Sequence, residues 1–135
     1  MDKASITRLP AGRSDLFAFR IDGRIHKPDI EAMAGTLDEA FSRLGEVDIL
    51  IIISKWDGID MGAAFDGKAL KTQARANSHV RRYAVVGAPD WAAAMINLFA
   101  PLTPVEEKTF DLAEESQAWA WVGEERPGAG LQRRA

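Results

Sequence analysis

The 135-residue chain contains no cysteine. Disulfides, a thiolate nucleophile and a sulfur-ligated zinc site are therefore all excluded, and a reducing, cytoplasmic address is expected. Histidine is scarce as well: His26 and His79 lie far apart in sequence, so no histidine-based metal site and no cofactor is predicted. No run approaches the about 18 apolar residues that a bilayer crossing needs, and Met1-Asp2-Lys3-Ala4-Ser5 lacks the apolar core of a signal peptide. An excess of one charge is missing too. Seventeen Lys and Arg stand against 20 Asp and Glu, a formal net charge of -3, which gives no global field for nucleic acid or an anionic membrane.

What remains is the mixture of one globular domain, 47% hydrophobic and 27% charged, with enough apolar surface for one core. Ser5 to Leu9 and Asp15 to Asp22 read as strands joined by Pro10-Ala11-Gly12-Arg13-Ser14, with Phe17, Phe19 and Ile21 alternating toward the core. From Pro28 to Leu44, Ile30, Met33, Ala34, Leu37, Ala40, Phe41 and Leu44 form one helical stripe, and Gly45 stops it. Val47 to Ile53 has the continuous β-branched character of a strand buried on both faces. A loop holding Ser54, Trp56, Asp57 and Asp60 follows it, then a helix from about Met61 to Asn77 with Asp60 as its N-cap.

Arg82 to Gly87 is another short buried strand. Pro89-Asp90 opens a helix that Pro101 closes. Thr103 to Phe110 is too charged at Glu106-Glu107-Lys108 for a sheet interior and is placed at an edge. A last helix spans about Leu112 to Val122, with Asp111 and Glu114 spaced as a capping pair. The domain thus covers residues 1–122, and residues 123–135, which lack periodicity, are expected to form a disordered tail. Helices between sequential strands demand crossovers. The fold class is therefore α/β, a mixed sheet of about five strands that opens with an antiparallel hairpin and is otherwise largely parallel, with about four helices.

This order, together with Ile21-Asp22-Gly23-Arg24-Ile25, Val85-Val86-Gly87-Ala88-Pro89-Asp90-Trp91, Leu98-Phe99-Ala100-Pro101-Leu102 and Ala118-Trp119-Ala120-Trp121-Val122, resembles the SpoIIAA-like family from about Ile6 to Val122. The resemblance implies a STAS-type fold, similar to the CRAL-TRIO lipid-binding domains. It implies no substrate, cofactor or catalytic residue. STAS anti-sigma antagonists carry a phosphorylatable serine at the start of the second helix, where this chain reads Gly58-Ile59-Asp60-Met61-Gly62-Ala63.

Four sets of residues are candidates for function. Asp57 and Asp60 form a carboxylate pair suited to acid/base work or a hard cation, against a bland reading as a solvated loop with a helix cap. His26, with Arg24, could take an anion, but as the residue before Lys27-Pro28-Asp29 it reads first as an N-cap, and His79 reads as a surface loop residue. Lys68, Lys71 and Arg75 recur at helical spacing, with Arg81 and Arg82 beyond them; the strip has no aromatic for base stacking, so nucleic acid is not an expected partner. Finally, Trp91 to Val105 carries no charge. Trp91, Met95, Leu98 and Phe99 lie on one helical stripe, and a helix with two apolar flanks needs covering by a ligand, a second chain or the neighbouring Trp119 and Trp121 helix. With Trp56 at the strand end, these residues point to a non-enzymatic domain binding a lipid or other small hydrophobic ligand. The alternative is a STAS-like interaction module. A homodimer is the expected assembly.

Overall fold

The computed structural model describes residues 5–64, 66–90 and 105–123. In chain order these form β1 (Ile6–Leu9), β2 (Leu16–Ile25), α1 (Lys27–Leu44), β3 (Val47–Ile59), α2 (Met61–Ala64), α3 (Gly67–His79), β4 (Val80–Val86), β5 (Glu106–Phe110), a 3-10 turn (Leu112–Glu114) and α4 (Glu115–Gly123). The strands lie side by side as β1-β2-β3-β4-β5. β1 is antiparallel to β2, with Ile6 opposite Ile21, and every other pairing is parallel. The mixed five-stranded α/β sheet is thus the one expected from the order of elements.

Alternation along the strands builds two cores. Phe17, Phe19, Ile21, Ile49, Ile51, Ile53 and Val85 face α1, where Leu37, Ala40 and Phe41 meet them. Leu16, Ala18, Leu50, Ile52, Ala84, Val86 and Phe110 point the other way, onto Ala118 and Val122 of α4. Both faces of the central strands are dry, which is why Val47–Ile53 reads as unbroken aliphatic sequence. Burial of each large side chain contributes about 1.5–3 kcal/mol. At the fully buried pair Phe17 and Phe41, that contribution joins β2 to α1.

Several boundaries differ from the sequence reading. β3 does not stop at Ile53 but runs to Ile59, so Trp56 and Asp57 belong to a strand and not to a loop. Its polar second half pairs with an equally extended β2, Asp22 with Lys55 and Ile25 with Ile59, across two register shifts. The helix expected over Met61 to Asn77 is two helices, because Asp66 turns inward, only 4% exposed, and Gly67 starts a new helix. β4 begins at Val80, and β5 is confined to Glu106–Phe110 at the expected edge. Asp111 N–H donates to Glu114 Oε1 at 2.9 Å, the predicted capping contact, although the first turn it caps is 3-10. His79 is no loop residue: it ends α3, stacks on Phe41 at 5.1 Å and turns Nδ1 to the Gly45 carbonyl. The helix expected between Pro89 and Pro101, and the tail, lie outside the described residues.

Gly87, just past β4, has φ +76°. A Cβ there would stand 2.5 Å from the Ile53 carbonyl oxygen and 2.9 Å from Leu112, so only glycine lets the chain leave the sheet at this point.

Candidate functional site

The prolonged ends of β2 and β3 form a two-stranded arm beyond the reach of β4 and β5. Gly23 and Gly58 hold positive φ values of +111° and +103° within it. At Gly58 a Cβ would lie 3.0 Å from Arg24 Nη1, so the missing side chain makes room for the guanidinium to cross the arm. Asp60 N–H donates to the Ile25 carbonyl at 2.9 Å and closes the arm where α2 begins.

Three polar side chains converge there. Arg24 Nε donates to Asp60 Oδ1 at 2.5 Å, and His26 Nδ1 lies 2.6 Å from Asp60 Oδ2. The hydrogen bond from Arg24 and then that from His26 hold the Asp60 carboxyl below the usual carboxylate range. His26 is the N-cap of α1, as the sequence implied, with its own N–H on Asp29 Oδ2 at 3.0 Å. Asp57 is not drawn into this group: it faces Lys55 Nζ at 3.6 Å, and only its backbone carbonyl receives Arg24 Nη1, at 3.4 Å. The two loop carboxylates therefore do not act as a pair. Ser54 Oγ donates to the Ile21 carbonyl at 3.2 Å, so its hydroxyl serves the ladder. Among the described residues, no group of three or more His, Asp or Glu side chains is arranged to hold a metal ion.

Four apolar side chains belong to the same end of the sheet. Trp56, Ile59 and Ala88 are half-buried at the margin of the α1-side core, and Met61, the first residue of α2, is 76% exposed. Trp91, Met95, Leu98 and Phe99 lie outside the described residues.

The basic strip is only partly a strip. Lys68 and Lys71 are exposed, but Arg75 turns back onto α1, bonding Asp38 and reaching Ser42 Oγ at 3.2 Å. Arg81 and Arg82 leave for the far end of the sheet. There Asp48, fully buried, accepts Arg13 Nη2 at 2.6 Å, Arg81 Nη2 at 3.4 Å and the Arg82 N–H at 3.1 Å. Arg13 also reaches the Val122 carbonyl at 3.2 Å, so this knot ties the hairpin turn, β3, β4 and α4 together. Sequence reasoning passed over Asp48; its signal was a single carboxylate inside an otherwise aliphatic strand. An open cavity of about 460 Å³ lies at the same end, lined by Arg8 to Ser14 and Leu16. Its two arginines suit a polar ligand better than an acyl chain.

A second buried carboxylate tethers α1 to the corner between α2 and α3. Asp66 lies 3.8 Å from Lys27 Nζ, and its hydrogen bond with Glu31 raises the Glu31 carboxyl above its ordinary value. Among the described residues, no helix is long and apolar enough to cross a membrane.

Comparison with known proteins agrees with this architecture. The chain matches no curated protein. Among solved structures it is similar to an uncharacterized protein of the DUF3478 family with a SpoIIAA-like fold from Shewanella loihica PV-4, at 23% identity and a TM-score of 0.70, over 90% of this chain and 97% of that one. The profile of the SpoIIAA-like family matches residues 16–123, most of the described sheet and helices, and the chain belongs to that family.

Proposed function

We propose that the chain is a non-enzymatic binding module that takes up a small hydrophobic ligand, such as a lipid or fatty acyl chain, at the free ends of β2 and β3. The observation that carries this reading is the apolar margin there: Met61 76% exposed, with Trp56, Ile59 and Ala88 half-buried at the edge of the core. Such a margin on a small domain is a place for a ligand or partner to seat itself. The charge-free stretch from Trp91 to Val105, which follows β4 in sequence, supports the same reading, as does the likeness to CRAL-TRIO domains that the family resemblance implies. A serine nucleophile or a carboxylate pair is not favoured, because Ser54 Oγ is spent on the Ile21 carbonyl and the Asp57 and Asp60 carboxylates are separately engaged. Native mass spectrometry of protein purified from its own host tests the reading: a hydrophobic adduct supports it, and a bare chain that also takes up no added fatty acid or phospholipid contradicts it.

A second reading, a STAS-like regulatory module acting through protein contacts, is favoured by the same charge-free stretch. Trp91, Met95, Leu98 and Phe99 have the spacing of one helical stripe, and a homodimer covering such a stripe is the simplest assembly. Hiding a few hundred Å² of apolar surface is worth several kcal/mol, at about 25 cal/mol per Å², before the cost of association. Met95→Asp or Phe99→Asp would then shift a micromolar dimer to monomer in sedimentation. A wild-type chain that sediments as monomer removes the dimer.

A further inference from the structure

We propose that His26 is a phosphoryl-accepting nucleophile whose Nε2 lone pair is presented to solvent by the chain of contacts Arg24–Asp60–His26. This goes beyond ligand uptake and does not depend on it. Arg24 Nε fixes one oxygen of Asp60, and the other faces His26 Nδ1 at 2.6 Å. A carboxylate can only accept, so the proton between them belongs to Nδ1, and the neutral ring carries its lone pair on Nε2. Among the described residues, no hydrogen bond occupies Nε2, and the side chain is 51% exposed.

An imidazole oriented by a carboxylate that is itself oriented by a third group is the arrangement that activates a nucleophile. Acyl transfer would further require donors aimed at an oxyanion. Phosphoryl transfer needs chiefly positioning and cations, because charge spreads over the equatorial oxygens. Three cations stand at this end of the sheet, each facing a carboxylate that an incoming phosphoryl group would have to compete with: Arg24 on Asp60, Lys27, 58% exposed, 3.8 Å from Asp66, and Lys55, 66% exposed, 3.6 Å from Asp57 across the arm. Among the described residues, no third side chain joins His26 and Asp60 to hold a metal.

The step balances with a phosphoramidate-type donor. The Nε2 lone pair forms the new N–P bond as the donor's P–N bond breaks, and the leaving nitrogen, already protonated in the zwitterionic donor, departs as neutral ammonia or amine with the bonding pair. Asp60 offsets the positive charge that develops on the ring, while Nδ1 keeps its proton. The product places nearly two negative charges at the cap of α1 and beside Asp60, where they compete with that carboxylate for Arg24.

Incubation of the whole chain with inorganic phosphoramidate, followed by intact-mass and fragmentation analysis, tests this. The expected result is one acid-labile phosphoryl group per chain, on His26, absent from His26→Gln and formed about tenfold more slowly in Asp60→Asn, the low end of what an orienting carboxylate is worth to an imidazole. His79 is the internal comparison, since its Nδ1 faces a neutral carbonyl and not a carboxylate. Labelling of His79 as fast as His26, no labelling of His26, or an unchanged rate in Asp60→Asn would each overturn the proposal. If Asp60→Asn loses its fold by circular dichroism, the rates of His26 and His79 in the unaltered chain decide alone.

Discussion

His26 Nδ1 and the Asp60 carboxylate meet at 2.6 Å although 34 residues separate them in the chain. The contact joins the cap of α1 to the residue just before α2, so two helices are fastened to the free end of the β2–β3 arm by one hydrogen bond.

Its pH dependence follows from the direction of the Asp60 shift. A carboxyl held below its ordinary value contributes stability that is present above that value, near 3.8, and lost as pH falls through the folded one. Asp15 adds to this: burial pushes its carboxyl up, but the hydrogen bond from Arg81 and the charges of Arg13 and Arg81 outweigh burial and leave it lowered. Glu31 works in the opposite sense, since its raised carboxyl contributes most below its ordinary 4.5 and the contribution fades as pH rises through the folded value. Urea midpoints measured between acid and neutral pH should therefore fall below about pH 4. Asp60→Asn should fall less steeply there, and Glu31→Gln should gain relative to wild type toward neutral pH.

The Asp48 knot should be the most fragile polar feature. Its carboxylate is fully buried and answered by Arg13, Arg81 and the Arg82 N–H, so Asp48→Ala takes the acceptor from that N–H and leaves Arg13 and Arg81 to share Asp15, which is nearer the surface. The expected cost is about 3–5 kcal/mol, read as a shift in chemical denaturation midpoint. Asp57→Asn, whose partner Lys55 is 66% exposed, should change stability by less than about 1 kcal/mol.

Tyr83 is the one tyrosine in the chain, which makes its ionisation readable without interference from another phenol. Burial, and after it the charge of Glu107 opposite on β5, push it up to about 12. The phenolate absorbance should stay absent through pH 10 in the folded protein, and appear near 10 once denaturant is added. Stability should accordingly be lost as pH rises from 10 toward 12, since the unfolded chain ionises first.

Much of the fold was legible because hydrophobic period reports burial directly: the stripe from Ile30 to Leu44 gave α1, and Val47–Ile53 gave the strand with two dry faces. The continuation of β3 was hidden, because Ser54 to Asp57 lie in an arm open to solvent and carry no apolar pattern. Pairing there comes from β2, a partner some thirty residues away that local sequence does not announce. The split between α2 and α3 was missed for a related reason, since Asp66 is buried by tertiary contact with α1, not by any helical period. Of the site, the charged residues were named singly, whereas the convergence of Arg24 and His26 on Asp60 depends on strand register, and Asp57, which seemed the partner of Asp60, faces Lys55.

On the proposed function, the free end of β2 and β3 seats a hydrophobic ligand, with Met61 as an exposed contact. Equilibrium binding of a labelled long-chain fatty acid to the wild type and to Met61→Asp tests it most directly. Removing one methionine contact of about 1.5 kcal/mol corresponds to about tenfold in affinity. The account predicts saturable uptake of one ligand per chain, weakened about tenfold or more in Met61→Asp while the circular dichroism spectrum is unchanged. No saturable uptake by the wild type, or equal affinity in the two proteins, would contradict it.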